Sequence, residues 1–254
     1  MDWHARSLNL RSYGGSHVGR RRTSNEDAFF CDDGLGLWVV ADGMGGHAAG
    51  EVASQEACDA IWGMVKRGKP GLSQVTAEER RHRAARLLEG AVQNATYLVY
   101  SMAEMDAGKA GMGTTISAAM SFEDMLLVAH VGDSRIYRVR DNAASQITED
   151  HTLVAWQVKH GIITEEEARL SRQRNVITRA VGNRDYVQVD TLWVELSVGD
   201  SFLLCSDGLH GYLSVDEVAD IAASGGQLAV QRFIDAANER GGKDNITAVV
   251  VEVW

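Results

Sequence analysis

Four aspartates lie where apolar, strand-like runs begin or end. Asp42, Asp133 and Asp207 follow such runs, and Asp244 precedes the last one. Apolar runs of four to eight residues bounded by turn residues are typical of buried strands, whereas Asp is rarely buried unless it is paired or bound to a metal. Because clustered carboxylates repel one another and hard cations prefer oxygen ligands, the pattern predicts a divalent-metal centre at the strand ends.

The alternative is that each aspartate forms an ordinary turn. Every one of them adjoins a residue that permits a tight turn or a local hydrogen bond, namely Gly43, Ser134, Gly208 and Asn245. This interpretation suits one aspartate better than all four, since each adjoins a core strand and not a polar one.

The glycine-rich segment 42–51 follows the first of these runs. It lacks both GxxxxGK[ST] and GxGxxG, so it gives little support to nucleotide binding. A strand-to-helix turn that holds a cation is the better interpretation, because Gly43 has no Cβ to keep a cation from its carbonyl oxygen.

Other catalytic classes find little support. The eight histidines show no HxxxH or HExxH spacing, and no GxSxG occurs, which argues against a zinc-type histidine site and a serine nucleophile. Arg20-Arg21-Arg22 precede Glu26-Asp27. Alone these are surface residues, but beside a metal the acidic pair could orient bound waters while an arginine binds a phosphate oxygen.

Composition limits the partners. The net charge of −10 over 254 residues argues against nucleic-acid binding, which needs a basic face. No apolar run is long enough for a membrane span, and the N-terminus does not resemble a signal peptide. The three cysteines form no CxxC pair and are expected to be small core residues in a reducing compartment, so we expect a cytoplasmic protein without membrane partners.

Periodicity predicts an α+β fold. Helical spacing marks three segments, and strand-like runs joined by short turns mark the others, with a polar stretch from 149 to 174. The helices are expected at 48–66, 76–102 and 227–240, and strands at 35–41, 114–120, 125–131, 135–140, 186–194, 201–205 and 246–252. Hairpin-linked strands with paired helices favour two antiparallel sheets face to face with helices outside.

Taken together, seven segments resemble the metal-dependent PP2C-type (PPM) protein serine/threonine phosphatases, in their compact bacterial form. They occur in the family's order along nearly the whole chain: RTSNED at 22–27, VADGMGGH at 40–47, GTT at 113–115, HVGDSR at 130–135, NVITRAVG at 175–182, CSDG at 205–208 and KDNIT at 243–247.

The resemblance implies a four-layer αββα sandwich formed by a single domain, 1–254, with a variable flap at about 150–182. It also implies two Mn²⁺ or Mg²⁺ ions per active site, with a third in bacterial members. By position, Asp42 looks like the carboxylate that bridges two metals, and Gly43 offers its carbonyl to the first. Asp207 and Asp244 look like ligands of the second metal.

The remaining positions also match the family's motifs. Asp133 looks like the ligand that shares the third metal with Asp207. Glu26 and Asp27 resemble residues that act on the metals through water, and Arg22 resembles the phosphate-binding arginine. Met44 departs from many eukaryotic members, which have a histidine there as the proposed general acid, and His47 cannot be assumed to replace it.

The implied activity is hydrolysis of phosphoserine and phosphothreonine by direct attack of a metal-bridging hydroxide. The implied partners are phosphorylated proteins and a cognate serine/threonine kinase. Two alternatives stay open: a non-catalytic metal-binding regulatory module of the same fold, and a calcium-stabilised structural protein. In the flap, Arg172, Arg174 and Arg179 could meet a phosphopeptide or form a solvated loop, and Trp156 is expected to be a packing anchor.

Overall fold

Two antiparallel β-sheets pack face to face in the computed structural model, which describes residues 8–45 and 49–254. The first sheet has the strand order β1-β11-β10-β7-β8, formed by Leu10–His17, Ile246–Val253, Ser201–Cys205, Arg135–Arg140 and Ala143–Gln146. The second has the order β2-β3-β5-β6-β9, formed by Asp27–Asp32, Leu37–Met44, Ile116–Phe122, Met125–Val131 and Asp190–Glu195, and the short β4 (Gly113–Thr114) pairs with β3.

Helices cover the outer face of each sheet. The long helices α1 and α2 (Ala49–Gly68 and Ala77–Met105) pack on the second sheet. The helices α6 and α7 (Val215–Ala222 and Gly226–Glu239) pack on the first. Three shorter helices, α3 (Leu153–Lys159), α4 (Glu165–Leu170) and α5 (Asp207–His210), lie in the connections.

The strands are apolar on both faces because each sheet is covered on both sides. Along β3, Leu37, Val39 and Ala41 pack towards α1 and α2, while Trp38 and Val40 pack between the two sheets. This alternation follows from the two-residue period of a strand. The predicted α+β, four-layer αββα architecture is confirmed.

Threonine side chains cap the starts of α2 and α4. Thr164 and Glu167 form a complete capping box at the start of α4. At the start of α2 the Thr76 hydroxyl accepts the backbone N–H of Glu79 at 3.4 Å. The predicted helix start at residue 48 lies outside the described residues, and α1 is described from Ala49.

Sheet pairing brings the two described ends of the chain together. In the β1–β11 pair, Leu10 lies opposite Val253 and His17 lies opposite Ile246. Beyond the pair, Asn9 and Trp254 exchange two backbone hydrogen bonds of 3.1 and 2.8 Å. The other end of this pair lies next to Asp244, where the candidate site is found.

The sequence patterns missed several elements. β1, β2, β8, α5 and α6 were not expected, and the predicted strand 186–194 is shorter, since β9 runs from Asp190 to Glu195. Within the described ranges, no helix has the length and apolar character required to span a bilayer.

Candidate metal centre

A cavity of about 330 Å³ lies where β3 and β10 end, where β11 begins and where the chain turns between β6 and β7. It is lined mainly by carboxylates, glycines and amides: Arg22, Glu26, Asp42, Gly43, Met44, Gly45, Asp133, Asn175, Ile177, Asp207, Asp244 and Asn245. The four strand-end aspartates predicted to gather therefore share one cavity.

Asp42 is held by its backbone. It lies inside β3, which continues three residues further than the sequence pattern indicated. Its N–H donates to the Thr115 hydroxyl at 3.0 Å, and its carbonyl accepts from the backbone N–H of Thr115 at 2.9 Å and the hydroxyl of Thr114 at 3.0 Å. The GTT segment thus fixes the position of Asp42 without using its carboxylate, which stays free to bind a cation.

Gly43 lies where three segments meet. Its N–H donates to the carbonyl of Glu26 at 3.1 Å, and a Cβ at this position would overlap the backbone carbonyl oxygens of Glu26 and Gly50. Because Gly50 belongs to the first turn of α1, only a residue without a side chain lets β3 and α1 approach this closely.

Asp207 and Asp133 lie next to the paired strands β10 and β7 of the first sheet. Asp207 is the first residue of α5, directly after β10, and Asp133 lies in the turn between β6 and β7 with 6% of its surface exposed. The imidazole of His210, at the end of α5, donates from Nε2 to the Asp133 carbonyl at 2.9 Å. This hydrogen bond ties the two aspartate-bearing segments together.

Asp244 forms an ion pair with Arg22, with 2.8 Å between Asp244 Oδ2 and the Arg22 guanidinium. Asn245 organises the same region: its amide donates to the carbonyls of Val18 and Ser24 at 3.0 and 2.9 Å, and its side-chain oxygen accepts the N–H of Glu26 at 2.8 Å. The loop that carries Arg22 and Glu26 is therefore fastened to the start of β11.

The carboxylates repel one another strongly. Burial raises the pKa of Asp42 well above its ordinary value, and the negative charges of Asp27, Asp207, Asp133 and Asp244 raise it further. Burial, followed by the charge of Asp207, raises the pKa of Asp133 to about 7. Burial and the charge of Asp244 also raise the pKa of Asp207. Cations at this position would relieve the repulsion.

The two acidic neighbours Glu26 and Asp27 have different positions: Glu26 lines the cavity, and Asp27 lies behind the lining. Glu26 lines the cavity, and burial raises its pKa. Asp27 Oδ2 accepts from the hydroxyls of Ser206 and Thr247 at 2.7 and 2.6 Å, while its buried Oδ1 has no partner among the described residues. Burial, only partly opposed by those two hydrogen bonds, raises the pKa of Asp27 to about 7.

The donor set fits a hard divalent cation. The carboxylates and the glycine carbonyl of the lining supply oxygen only. Behind them, Asp27 lies opposite Asp42 in the β2–β3 pair, and its Oδ1 has no hydrogen-bond partner among the described residues. In the described part of the chain, no three His, Cys, Asp or Glu side chains form a metal-binding group by themselves. Oxygen donors around an open cavity fit ions such as Mn²⁺ or Mg²⁺, which bind carboxylates and keep several water ligands.

Some cavity residues were not predicted. Asn175 and Ile177 reach the cavity from the flap segment, and Gly45 and Asn245 complete its wall beside Met44. The NVITRAVG motif was the available signal for the flap residues, but spacing could not show which of its side chains face the cavity. Trp156 is 50% exposed and stacks on His160 with 4.3 Å between ring centroids, so the expectation that it anchors packing was wrong. His47 lies outside the described residues.

Comparison with known proteins identifies the family to which the chain belongs. The model of the protein phosphatase 2C family matches residues 13–247. The chain belongs to this family. Serine/threonine phosphatase stp of Listeria welshimeri is 38% identical over 242 residues, covering 92% of each chain. Protein phosphatase PhpP of Streptococcus pneumoniae is 36% identical over 246 residues, covering 93% of this chain and 94% of the relative.

Solved structures of PP2C phosphatases have the same fold. The Mycobacterium tuberculosis phosphatase PstP/Ppp superposes with a TM-score of 0.85 at 35% identity, covering 96% of this chain and 98% of its own. The PstP catalytic domain in complex with two manganese ions superposes with a TM-score of 0.84 at 34% identity, covering 97% and 99%. Metal dependence is therefore a property that this PP2C chain shares with its structural relatives.

Proposed function

We propose that this chain is a metal-dependent protein serine/threonine phosphatase that hydrolyses phosphoserine and phosphothreonine without a phosphoenzyme. The observation that carries the proposal is the single cavity that Asp42, Asp133, Asp207 and Asp244 line together. Carboxylates from five separate places in the sequence gather there, and Arg22 stands at the same cavity. A site of this kind suits cations and an anionic substrate.

The proposed metal ligands are the residues that the family resemblance indicated. Asp42 would bridge two Mn²⁺ or Mg²⁺ ions, with the Gly43 carbonyl on the first. Asp207 and Asp244 would bind the second ion, and Asp133 with Asp207 a third. The chemistry that such ions supply when bound is activation of water and neutralisation of phosphoryl charge.

The chain's own side chains hold the substrate and the ligands in place. The Arg22 guanidinium forms an ion pair with Asp244. We propose that it leaves this carboxylate, or keeps one hydrogen bond to it, when it binds the oxygens of a phosphate group. The planar arrangement of its N–H donors matches two phosphate oxygens. We propose that Glu26 and Asp27 accept hydrogen bonds from water in the site. Among the described residues, no Ser, Thr, Cys or His side chain lines the cavity, which supports attack by water and not by a protein hydroxyl or thiol.

Met44 lines the cavity at the position where some relatives have a histidine. A thioether carries no proton to give, so Met44 cannot act as a general acid. We propose that water in the cavity supplies the proton to the leaving serine or threonine oxygen.

We also propose the setting of the reaction. Residues 1–254 would act as one phosphatase domain with its variable flap at about 150–182, on phosphorylated proteins and in opposition to a cognate serine/threonine kinase in the cytoplasm. The three cysteines are free, and Cys58 and Cys205 are buried, as a reducing compartment allows.

The direct test is hydrolysis of a phosphothreonine peptide by the full chain. We expect phosphate release that requires Mn²⁺, disappears with EDTA and returns when excess Mn²⁺ is added, because the carboxylates cannot hold phosphate without cations. Circular dichroism should show that EDTA leaves the chain folded. Mn²⁺ binding without any turnover would favour the regulatory-module alternative, and EDTA-resistant hydrolysis would refute the metal mechanism.

Replacement of Arg22 by Ala should weaken substrate binding. A hydrogen bond to a charged group contributes about 1.5–3 kcal/mol, so we expect kcat/KM for a phosphopeptide to fall by roughly 10- to 100-fold. Arg21→Ala is the matched control, since Arg21 is an exposed neighbour and its loss changes the net charge equally. Equal losses in the two variants would show that Arg22 acts only through overall charge.

A further inference from the structure

Asp133 combines an unused carboxylate with a single anchor on its backbone. Its side chain lines the cavity of the candidate metal centre. Among the described residues, its only hydrogen bond with another residue is the one that its backbone carbonyl accepts from His210 Nε2, at 2.9 Å. Because Asp133 is 6% exposed, water is poorly placed to replace this donor. The carboxylate is thus left free for a cation while His210 holds the backbone behind it.

The neighbours of Asp133 in the turn are held by other parts of the fold. The N–H of Gly132 donates to His151 Nδ1 at 3.1 Å, and its carbonyl accepts the N–H of His151 at 2.8 Å. The carbonyl of Ser134 accepts from the Ser117 hydroxyl at 3.0 Å. These hydrogen bonds fix the turn to the start of the flap and to β5. Within the described residues, the hydrogen bond from His210 is the one that fixes the turn to α5.

His210 belongs to the same helical turn as Asp207. Asp207 is the first residue of α5 and His210 is the last, and the N–H of Gly211 donates to the Asp207 carbonyl at 2.9 Å, which closes the turn. One short, hydrogen-bonded element therefore presents the carboxylate of Asp207 at its start and, at its end, the donor that holds Asp133. The two carboxylate-bearing segments cannot separate unless this donor lets go of the Asp133 carbonyl.

We propose that His210 is a positioning residue that holds Asp133 where it can bind one divalent cation together with Asp207. The inference rests on the proposed function, in which these two aspartates share a third ion. Replacement of a residue that orients a metal ligand typically lowers metal affinity by roughly 10- to 100-fold. His210 should therefore set the affinity of the shared ion, whereas the ion bound through Asp42 and Gly43 does not depend on it.

Two replacements of His210 separate its hydrogen bond from its bulk. A carbonyl oxygen can only accept, so the imidazole Nε2 carries the proton. Gln keeps an N–H donor at the same number of bonds from Cα, whereas Leu fills a similar volume without a donor. His210→Leu should weaken the Mn²⁺ site that depends on Asp133 by roughly tenfold or more, and His210→Gln should keep an affinity close to that of the parent. His82→Leu is the matched control, since His82 is exposed on α2.

The measurement is calorimetric titration of the full, metal-free chain with Mn²⁺, with circular dichroism to confirm that each variant is folded. Asp133→Asn identifies the shared site as the Mn²⁺ binding that this variant loses. Because His210 is proposed to act through Asp133, adding His210→Leu to Asp133→Asn should cause no further loss of Mn²⁺ binding. A purely structural role would lower Mn²⁺ affinity in both backgrounds.

Several results would overturn the proposal. Asp133→Asn could bind as many Mn²⁺ ions as the parent, His210→Leu could keep the parental affinity at the shared site, or His210→Gln could lose as much affinity as His210→Leu. Equal weakening of every Mn²⁺ site in His210→Leu would show that His210 supports the fold alone. These outcomes are distinct from failure of the proposed function, which hydrolysis of a phosphothreonine peptide by the parent tests directly.

Discussion

Replacement of Asp207 by Asn should lower phosphatase activity by roughly a thousandfold or more while the chain stays folded. Loss of one preorganised hydrogen-bond donor to a transition state costs about 10²–10³ in rate, and here a full negative charge that holds cations would be removed. Asp207 is also the carboxylate proposed to contact two ions, so its loss would disturb more than one ligand set.

The folded state gives this prediction a second readout. The raised pKa of Asp207 means that the native fold disfavours the charged form, so at neutral pH a neutral Asn should leave the metal-free chain as stable as before or more stable. The rise in melting temperature that Mn²⁺ produces in the parent should be much smaller in the variant, because a ligand stabilises the folded state less as its dissociation constant rises.

Asp220→Asn is the matched control, the same chemical change at an exposed position on α6. It should keep full activity and the full Mn²⁺ response in thermal unfolding. An Asp207→Asn variant with parental kcat and an unchanged Mn²⁺ response would show that the metal assignment is wrong.

Replacement of Gly43 by Ala should damage both stability and the metal centre. The new Cβ would overlap the backbone carbonyl oxygens of Gly50 and Glu26, and backbone atoms cannot move aside as a flexible side chain can. Overpacking of this kind costs about 1–3 kcal/mol or more. For a chain of this size that corresponds to a fall in melting temperature of roughly 2–12 °C.

Activity should fall further than stability alone explains, since the Gly43 carbonyl is a proposed ligand and would be displaced with β3. Gly71→Ala is the control, because nothing lies within 4 Å of a Cβ there and its φ is not positive. Thermal unfolding and Mn²⁺ titration of the two variants provide the measurement. A Gly43→Ala chain with parental stability and affinity would mean that β3 and α1 separate without cost.

The sequence could predict the parts of the fold that depend on period and composition. The strands β3, β6 and β10 are apolar on both faces, and the ends of α2 and α4 carry capping residues, so their local patterns agree with their final environments. The four aspartates could also be identified from the sequence, because a carboxylate beside a core strand is unusual and indicates a cation.

Other elements depend on tertiary contacts that no local pattern contains. β1 includes Gly14 and Gly15, poor strand residues, and it forms because β11 supplies a full antiparallel partner. A Cβ at Gly15 would come within 2.9 Å of Val230, so close packing of α7 on β1 accounts for one of the two glycines.

The candidate site likewise combines residues that the sequence identified with residues that only the fold brings in. The aspartates were identifiable, but the arrival of Asn175 and Ile177 from the flap depends on how that segment folds back. One such contact is an antiparallel bridge between Thr114 and Val181.

The pairing of β1 with β11 places Asn9 and Trp254 at the opposite end of these strands from the carboxylate cavity. Asn9 and Trp254 are joined by backbone hydrogen bonds at one end of this pair, and the carboxylate cavity lies beyond the other. Each strand has eight residues, so the two ends are separated by about 25 Å at about 3.3 Å per residue. A segment joined to the molecule at Asn9 or at Trp254 would lie at the end of the β1–β11 pair away from that cavity. Such a segment would leave the proposed active site open to large protein substrates.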